Sequence, residues 1–262
     1  MSTPMKARIL GCGTSGGVPL IGHRWGNCNP QNPRNRRLRS SILLQSPTTT
    51  VLIDSSPDLR QQLLTANVGW VDAVLYTHIH ADHVHGINDL VTMGRVHKKD
   101  IPLYGDKETL SMLRHSFDYA FKSNKNVAKI YKPYLTTHEM EAGAFTIGDI
   151  HIIPFEQKHG DSITWGFRMG EFAYSTDVNY LEKKAFAALE GVKIWVVDCL
   201  SEVPHETHAH LDLSLEWIER VKPARAYLTH LGITLDYDAL LHKLPPHIKP
   251  AFDGLEFTFQ GA

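Results

Sequence analysis

LYTHIHADHVHG, residues 75–86, places four histidines and one aspartate in twelve positions. Within it, HIHADH (78–83) follows the apolar run VDAVLYTH (71–78), which reads as a buried strand ending at its first histidine. If the chain then enters a tight turn, His78 and His80 point the same way by the two-residue alternation of extended backbone. Asp82 and His83 fall in the turn and the helix start, facing a neighbouring point. Four side chains so disposed suit two divalent cations better than one, and mixed imidazole and carboxylate donors suit Zn²⁺ or Mn²⁺.

Each ion needs further ligands, and the rest of the chain offers them in a consistent place. FEQKHG ends a strand at His159, EFAYSTD (171–177) ends at Asp177, and ARAYLTH (224–230) ends at His230. Asp54, after TVLI, and Asp198, in KIWVVDCLSE (193–202), occupy similar ends. Strand termini collect on one sheet edge, where loops converge on a ligand. The expected assignment is His78, His80 and His159 on one metal, Asp82, His83 and His230 on the other, and Asp177 bridging the two. PDLRQQLLTA (57–66), KETLSMLRHSFDYAF (107–121), LEKKAFAALEG (181–191) and LSLEWIERVK (213–222) have helical spacing of apolar residues.

The 262-residue chain has a net charge of -1, which provides no broad field for nucleic acid or an anionic membrane. Its three cysteines imply no disulfide framework, and no apolar run approaches the ~20 residues of a membrane span. A reduced, cytoplasmic setting is expected. The richest breaker region, GHRWGNCNPQNPRNRRLR (22–39), reads as a long basic loop inside one domain rather than a linker.

THIHADHVHG (77–86) resembles the HxHxDHxxG signature of the metallo-β-lactamase fold, and His159, Asp177 and His230 follow in that family's order. The resemblance implies an α/β chain folded as a four-layer αββα sandwich, one domain over residues 1–262. A closer frame is GCGTSGGVP (11–19), RR (36–37), LID (52–54), VDC (197–199), HLDL (210–213) and FDGLE (252–256), which is similar to the PhnP branch and its cyclic phosphodiesterases. That likeness implies a hydrolase of small phosphodiesters, such as ribosyl cyclic phosphates or cyclic nucleotides. In it a hydroxide shared by two metals attacks phosphorus, Asp82 orients that hydroxide, and His210, in the H-x-D-L setting, protonates the leaving alkoxide. A homodimer is also what the family suggests. The chain departs from the branch where its best-known members hold a structural zinc. The N-terminal loop has only Cys28, and position 233 is Ile233, so packing or charged contacts of Arg34, Arg36, Arg37 and Arg39 are expected to hold that loop.

Blander readings stand beside these. His23, His85, His97, His115, His138, His151, His242 and His247 read as surface or core residues, and His205 and His208 as loop residues. Arg36 and Arg37 read equally as phosphate ligands or as solvated loop charges. The aromatic and basic segment 119–134 reads equally as a base-stacking surface or an ordinary strand and loop. The rival functions are a tRNA 3′-processing endonuclease of the same fold and a nucleotide-binding module. The endonuclease's protruding Gly/Pro-rich arm is not found here, so no stable nucleic-acid partner is expected. A pure binder has no need of a water-activating metal pair.

Overall fold

The computed structural model describes residues 3–122 and 133–262. The first part of the chain forms β1 (Pro4–Gly11), β2 (Ser41–Gln45), β3 (Thr50–Ile53), β4 (Ala73–Leu75), β5 (Ile101–Gly105) and β6 (Leu135–Glu139). The second part forms β7 (Phe145–Ile147), β8 (Ile150–His159), β9 (Ser162–Met169), β10 (Phe172–Ser175), β11 (Ile194–Asp198), β12 (Arg225–Thr229) and β13 (Ile248–Pro250). The last strand, β14 (Glu256–Gln260), returns to pair with β1. Two seven-stranded sheets result, in the orders β14-β1-β2-β3-β4-β5-β6 and β13-β12-β11-β10-β9-β8-β7.

Side-chain alternation sets the layers. Ile42 and Leu44 of β2, Val51 and Ile53 of β3, and Ile194 and Val196 of β11 share one core between the sheets with Phe167 and Phe172. Their neighbours Leu43, Leu52 and Val74 face the other way, against α1 (Leu59–Ala66), α3 (Ile87–His97) and α4 (Lys107–Ser116). Trp195, Val197 and Leu228 face α6 (Lys183–Leu189), α7 (Leu211–Val221) and α8 (Tyr237–Lys243). Strands buried on both faces read as continuous apolar runs, and three separate cores define four layers, helix, sheet, sheet, helix. The expected sandwich is therefore the observed one.

Strand direction places the site. β3 to β6 run parallel, as do β10 to β13, while the hairpins β8–β9 and β9–β10 bring β8 back into the direction of β10. The carboxyl ends of β3, β4, β8, β10, β11 and β12 thus share an edge. Trp165 ties the sheets together there. Its backbone N–H donates to the Thr77 carbonyl at 3.0 Å and its indole N–H to Asp106 Oδ2 at 2.8 Å.

Some elements differ from the sequence reading. The helix expected over 107–121 breaks at Phe117 (φ -119°, ψ 43°) into α4 and the short α5 (Asp118–Phe121). Of segment 119–134, read equally as a base-stacking surface or an ordinary strand and loop, residues 123–132 lie outside the described residues. Phe167 is fully buried between the sheets. Phe167→Ala is expected to cost about 3–5 kcal/mol through lost burial and the cavity it leaves, measured by urea unfolding of the metal-free protein.

Candidate metal centre

The dense stretch begins where β4 ends. His80 is extended at φ -60°, ψ 149°, and the short helix α2 (Ala81–Val84) carries Asp82 and His83. The glycine that closes the motif has a steric reason. A Cβ on Gly86 would lie 2.3 Å from the Ser56 carbonyl oxygen, and the Gly86 N–H donates to the Ser55 carbonyl at 2.8 Å. The turn can therefore press directly against the loop after Asp54. His85, exposed, packs edge-on against Phe117.

The separated residues converge on two adjoining groups. His78, His80, His159 and Asp177 form one and Asp82, His83, Asp177 and His230 the other, with ligand atoms in each within 4.8 Å of one another. All of them are buried except His80. Asp177 belongs to both. Its Oδ1 lies 3.9 Å from His78 Nε2, and its Oδ2 lies 3.1 Å from His83 Nε2 and 3.4 Å from His230 Nδ1. One carboxylate oxygen faces each group.

Partners behind the ligands fix their orientation. Asp54 Oδ2 is 2.7 Å from His83 Nδ1, and its carboxylate also accepts from the Thr77 amide and hydroxyl. Thr77 Oγ1 lies 2.9 Å from His78 Nδ1, and His159 Nδ1 is 2.6 Å from the Thr207 carbonyl. In His78 and His83 the far nitrogen, Nε2, faces Asp177. Nε2 of His78 and of His83 are buried without a well-aligned hydrogen bond. Backbone strain marks the same edge: Asp54, Asp177 and His230 have φ of 62°, 53° and 56°. Each such non-glycine residue costs roughly 1–3 kcal/mol unless its surroundings hold it.

Carboxylates and imidazoles in the two groups set one another's charge. Burial opposes ionisation of Asp177, yet the rings of His230 and His83 hold its carboxyl well below the usual range. Burial also opposes charge on His83, but Asp177, Asp82 and Asp54 outweigh it and push the ring well above the usual imidazole range. His78 goes the other way, pushed well down by burial and then by His83. Buried orphan nitrogens, paired carboxylates and imidazoles aimed from behind fit two divalent ions, and binding them would release protons from ligating imidazoles.

For His210, expected as the acid, the structure shows no contact with the ligand groups among the described residues; it caps a helix instead. The ring brought to the ligands is that of His208, 4.6 Å from the His159 ring and 4.7 Å from the His230 ring. Its Nδ1 lies 3.2 Å from Asp198 Oδ2, and its Nε2 lies 3.9 Å from Asp177 Oδ1. His210 is the N-cap of α7, its carbonyl accepting from the Ser214 amide and hydroxyl. The physical reason is the tether at Asp198, whose Oδ2 also accepts from the Ala209 N–H at 3.0 Å and so selects the residue just before it. Burial lowers the His208 pKa, but Asp198 and then Asp177 raise it, to about 9 overall. The sequence signal for this placement was Asp198, an acidic strand end with no assigned partner, close to two candidate histidines.

Of the two readings left open for the loop arginines, the structure shows the structural one. Arg37 is 1% exposed, with its guanidinium on the carbonyls of Gly232 and Leu235. Arg36 lies over Trp25, Arg34 over Tyr237 and Phe252, and Arg39 pairs with Asp58 at 3.0 Å. These contacts hold the N-terminal loop in place, as the charged-contact reading expected.

A metal-binding strand edge on a four-layer sandwich defines a class of metal-dependent hydrolases. The profile of the beta-lactamase superfamily domain matches residues 49–231, and the chain belongs to that superfamily as a PhnP-like protein of metallo-β-lactamase fold. A crystal structure of a diphosphatase from the PhnP family superposes with a TM-score of 0.92 at 33% identity, covering 100% of this chain and 99% of that one. An octanoyltransferase of Porphyromonas gingivalis is 31% identical over 260 residues, 96% of this chain but 51% of that protein, so the chain spans about half of that relative. A ribonuclease Z of Bradyrhizobium is 26% identical over 140 residues, 52% of this chain and 45% of that enzyme. Among the described residues, no helix is long and apolar enough to cross a membrane.

Asp54→Asn tests the support behind His83. Loss of this carboxylate is expected to weaken metal binding about 10–100-fold, read by metal analysis after dialysis against graded chelator. Unchanged retention would show that His83 needs no such partner.

Proposed function

We propose that the protein is a phosphodiesterase acting on small substrates such as ribosyl cyclic phosphates or cyclic nucleotides. The observation that carries this reading is the His208 ring, held by Asp198 beside the shared carboxylate Asp177. Two divalent ions, Zn²⁺ or Mn²⁺, bound by His78, His80, His159, Asp82, His83, His230 and Asp177 would activate water near neutral pH and offset charge on the phosphoryl oxygens. Asp82 would orient the attacking water as well as ligate. His208 donates a proton to the departing oxygen, and Asp198 keeps its ring aligned and charged.

The presence of an acid bears on the leaving group. An alkoxide is a poor leaving group and needs a proton as its bond to phosphorus breaks. A phosphate leaving from a diphosphate needs one far less. The built-in acid therefore favours an ester oxygen as the leaving atom, and the likeness to a diphosphatase makes diphosphate esters the informative comparison substrates. The ribonuclease Z likeness supports phosphodiester chemistry too, and precursor tRNA enters the same test.

His208→Ala is expected to keep its metal and to lose about 10²–10⁴-fold in rate on a cyclic nucleotide. It should lose much less on bis-p-nitrophenyl phosphate, whose leaving group needs no proton, while His210→Ala stays near wild type on both. Equal losses on the two substrates would remove His208 as the acid. Faster turnover of precursor tRNA than of any small diester would replace the small-substrate reading with the endonuclease one.

A further inference from the structure

His230 stands between the end of β12 and a turn, residues 231–236, whose carbonyls face the N-terminal loop. The Asn27 N–H donates to the Ile233 carbonyl at 2.8 Å. Cys28 Sγ lies 3.4 Å from that oxygen and 3.5 Å from the Leu235 oxygen. Arg37 Nη1 donates to the Gly232 carbonyl at 3.1 Å, and Nη2 donates to the Leu235 carbonyl at 2.7 Å. Asn35 aligns the guanidinium, its Oδ1 accepting from Nη2 at 3.1 Å and from the Tyr237 N–H at 2.8 Å. Carbonyl oxygens converging in a buried space repel one another, and the fixed fork of a guanidinium can offset two at once.

The same turn begins with a metal ligand in a disfavoured conformation. His230 has φ 56°, and the residues after it are pinned by Leu231 N–H to the Cys12 carbonyl at 2.8 Å and Gly232 N–H to the Leu200 carbonyl at 3.0 Å. Ser40 Oγ lies 3.1 Å from His230 Nδ1. Three of the anchors, Cys12, Arg37 and Ser40, belong to the N-terminal segment, and Arg37 is the charged one. We propose that Arg37 is a positioning residue for His230: by drawing the Gly232 and Leu235 carbonyls onto the N-terminal loop it holds the turn that presents this ligand, so the second metal position depends on it and the first does not. The inference rests on the two-ion reading of the site.

The test titrates metal-free protein with Co²⁺, following the visible absorption of the bound ion and the bound stoichiometry. Wild type is expected to take two ions. Arg37→Met should leave the affinity of one ion unchanged and weaken the other about tenfold or more. Arg37→Lys, which can reach only one carbonyl, should fall between, and Arg36→Ala, which removes only the exposed side chain over Trp25, should match wild type. If wild type takes fewer than two ions, the two-ion reading fails, and the inference with it. If wild type takes two and Arg37→Met binds both with wild-type affinity, or loses both equally, Arg37 has no selective role and the proposal is overturned. Should Arg37→Met not fold, Arg37→Lys carries the test, and wild-type affinity at both sites in that variant overturns the proposal.

Discussion

A single buried carboxylate organises this molecule. Asp177 lies at the end of β10, with one oxygen turned to each ligand group. An ionised carboxylate in such a place is held only by opposite charge and fixed donors. Rings of His78, His83 and His230 surround it, the Thr176 hydroxyl donates to Oδ2 at 2.6 Å, and the Asp198 carboxylate takes its backbone N–H at 3.3 Å. The left-handed backbone at Asp177 is part of the same arrangement, because the residue must leave the strand and turn back over its end.

Two further carboxylates extend that arrangement in opposite directions. Asp54, on the first sheet, reaches His83 directly and His78 through the Thr77 hydroxyl. Asp198, on the second sheet, reaches His208 and the backbone of Asp177. The first aligns ligands, and the second aligns the group that would deliver a proton. Each sheet thus contributes one fully buried acid that orients its neighbours.

How much of this could be read in the sequence follows from how local each cause is. The stretch at 78–83 is short and follows an apolar strand, so its gathering of side chains at a sheet edge was legible. His159, Asp177 and His230 were legible because they share one property, a place at a strand end. The four layers were legible through the family signature, while α3, α8, β6, β13 and β14 were not anticipated. The choice between His208 and His210 was not legible. It depends on Asp198 accepting from the Ala209 N–H, a contact across 11 residues that no spacing rule encodes. Nor was Arg37 separable from its neighbours. Four arginines in RNRRLR look alike as a basic loop, and only the fold shows that one of them is buried against carbonyls nearly 200 residues away.

The division of labour between sheets and loops has a consequence for specificity. Ligands at strand ends are held by two sheets and three cores, so their geometry is costly to change. His208 and Thr207, by contrast, sit in the segment between β11 and α7, tied down by Asp198, by the His159 ring nitrogen on the Thr207 carbonyl, and by Asn179 Nδ2 donating to the Glu206 carbonyl at 2.6 Å. Exposed Val203 lies on this segment, Tyr180 on an adjoining loop and Ile163 at the start of β9. Substitutions there can alter the surroundings of the His208 ring while the ligand groups stay intact. The same metal edge can therefore serve enzymes with different substrates, and the loops around His208 are where this chain's own substrate preference is to be sought.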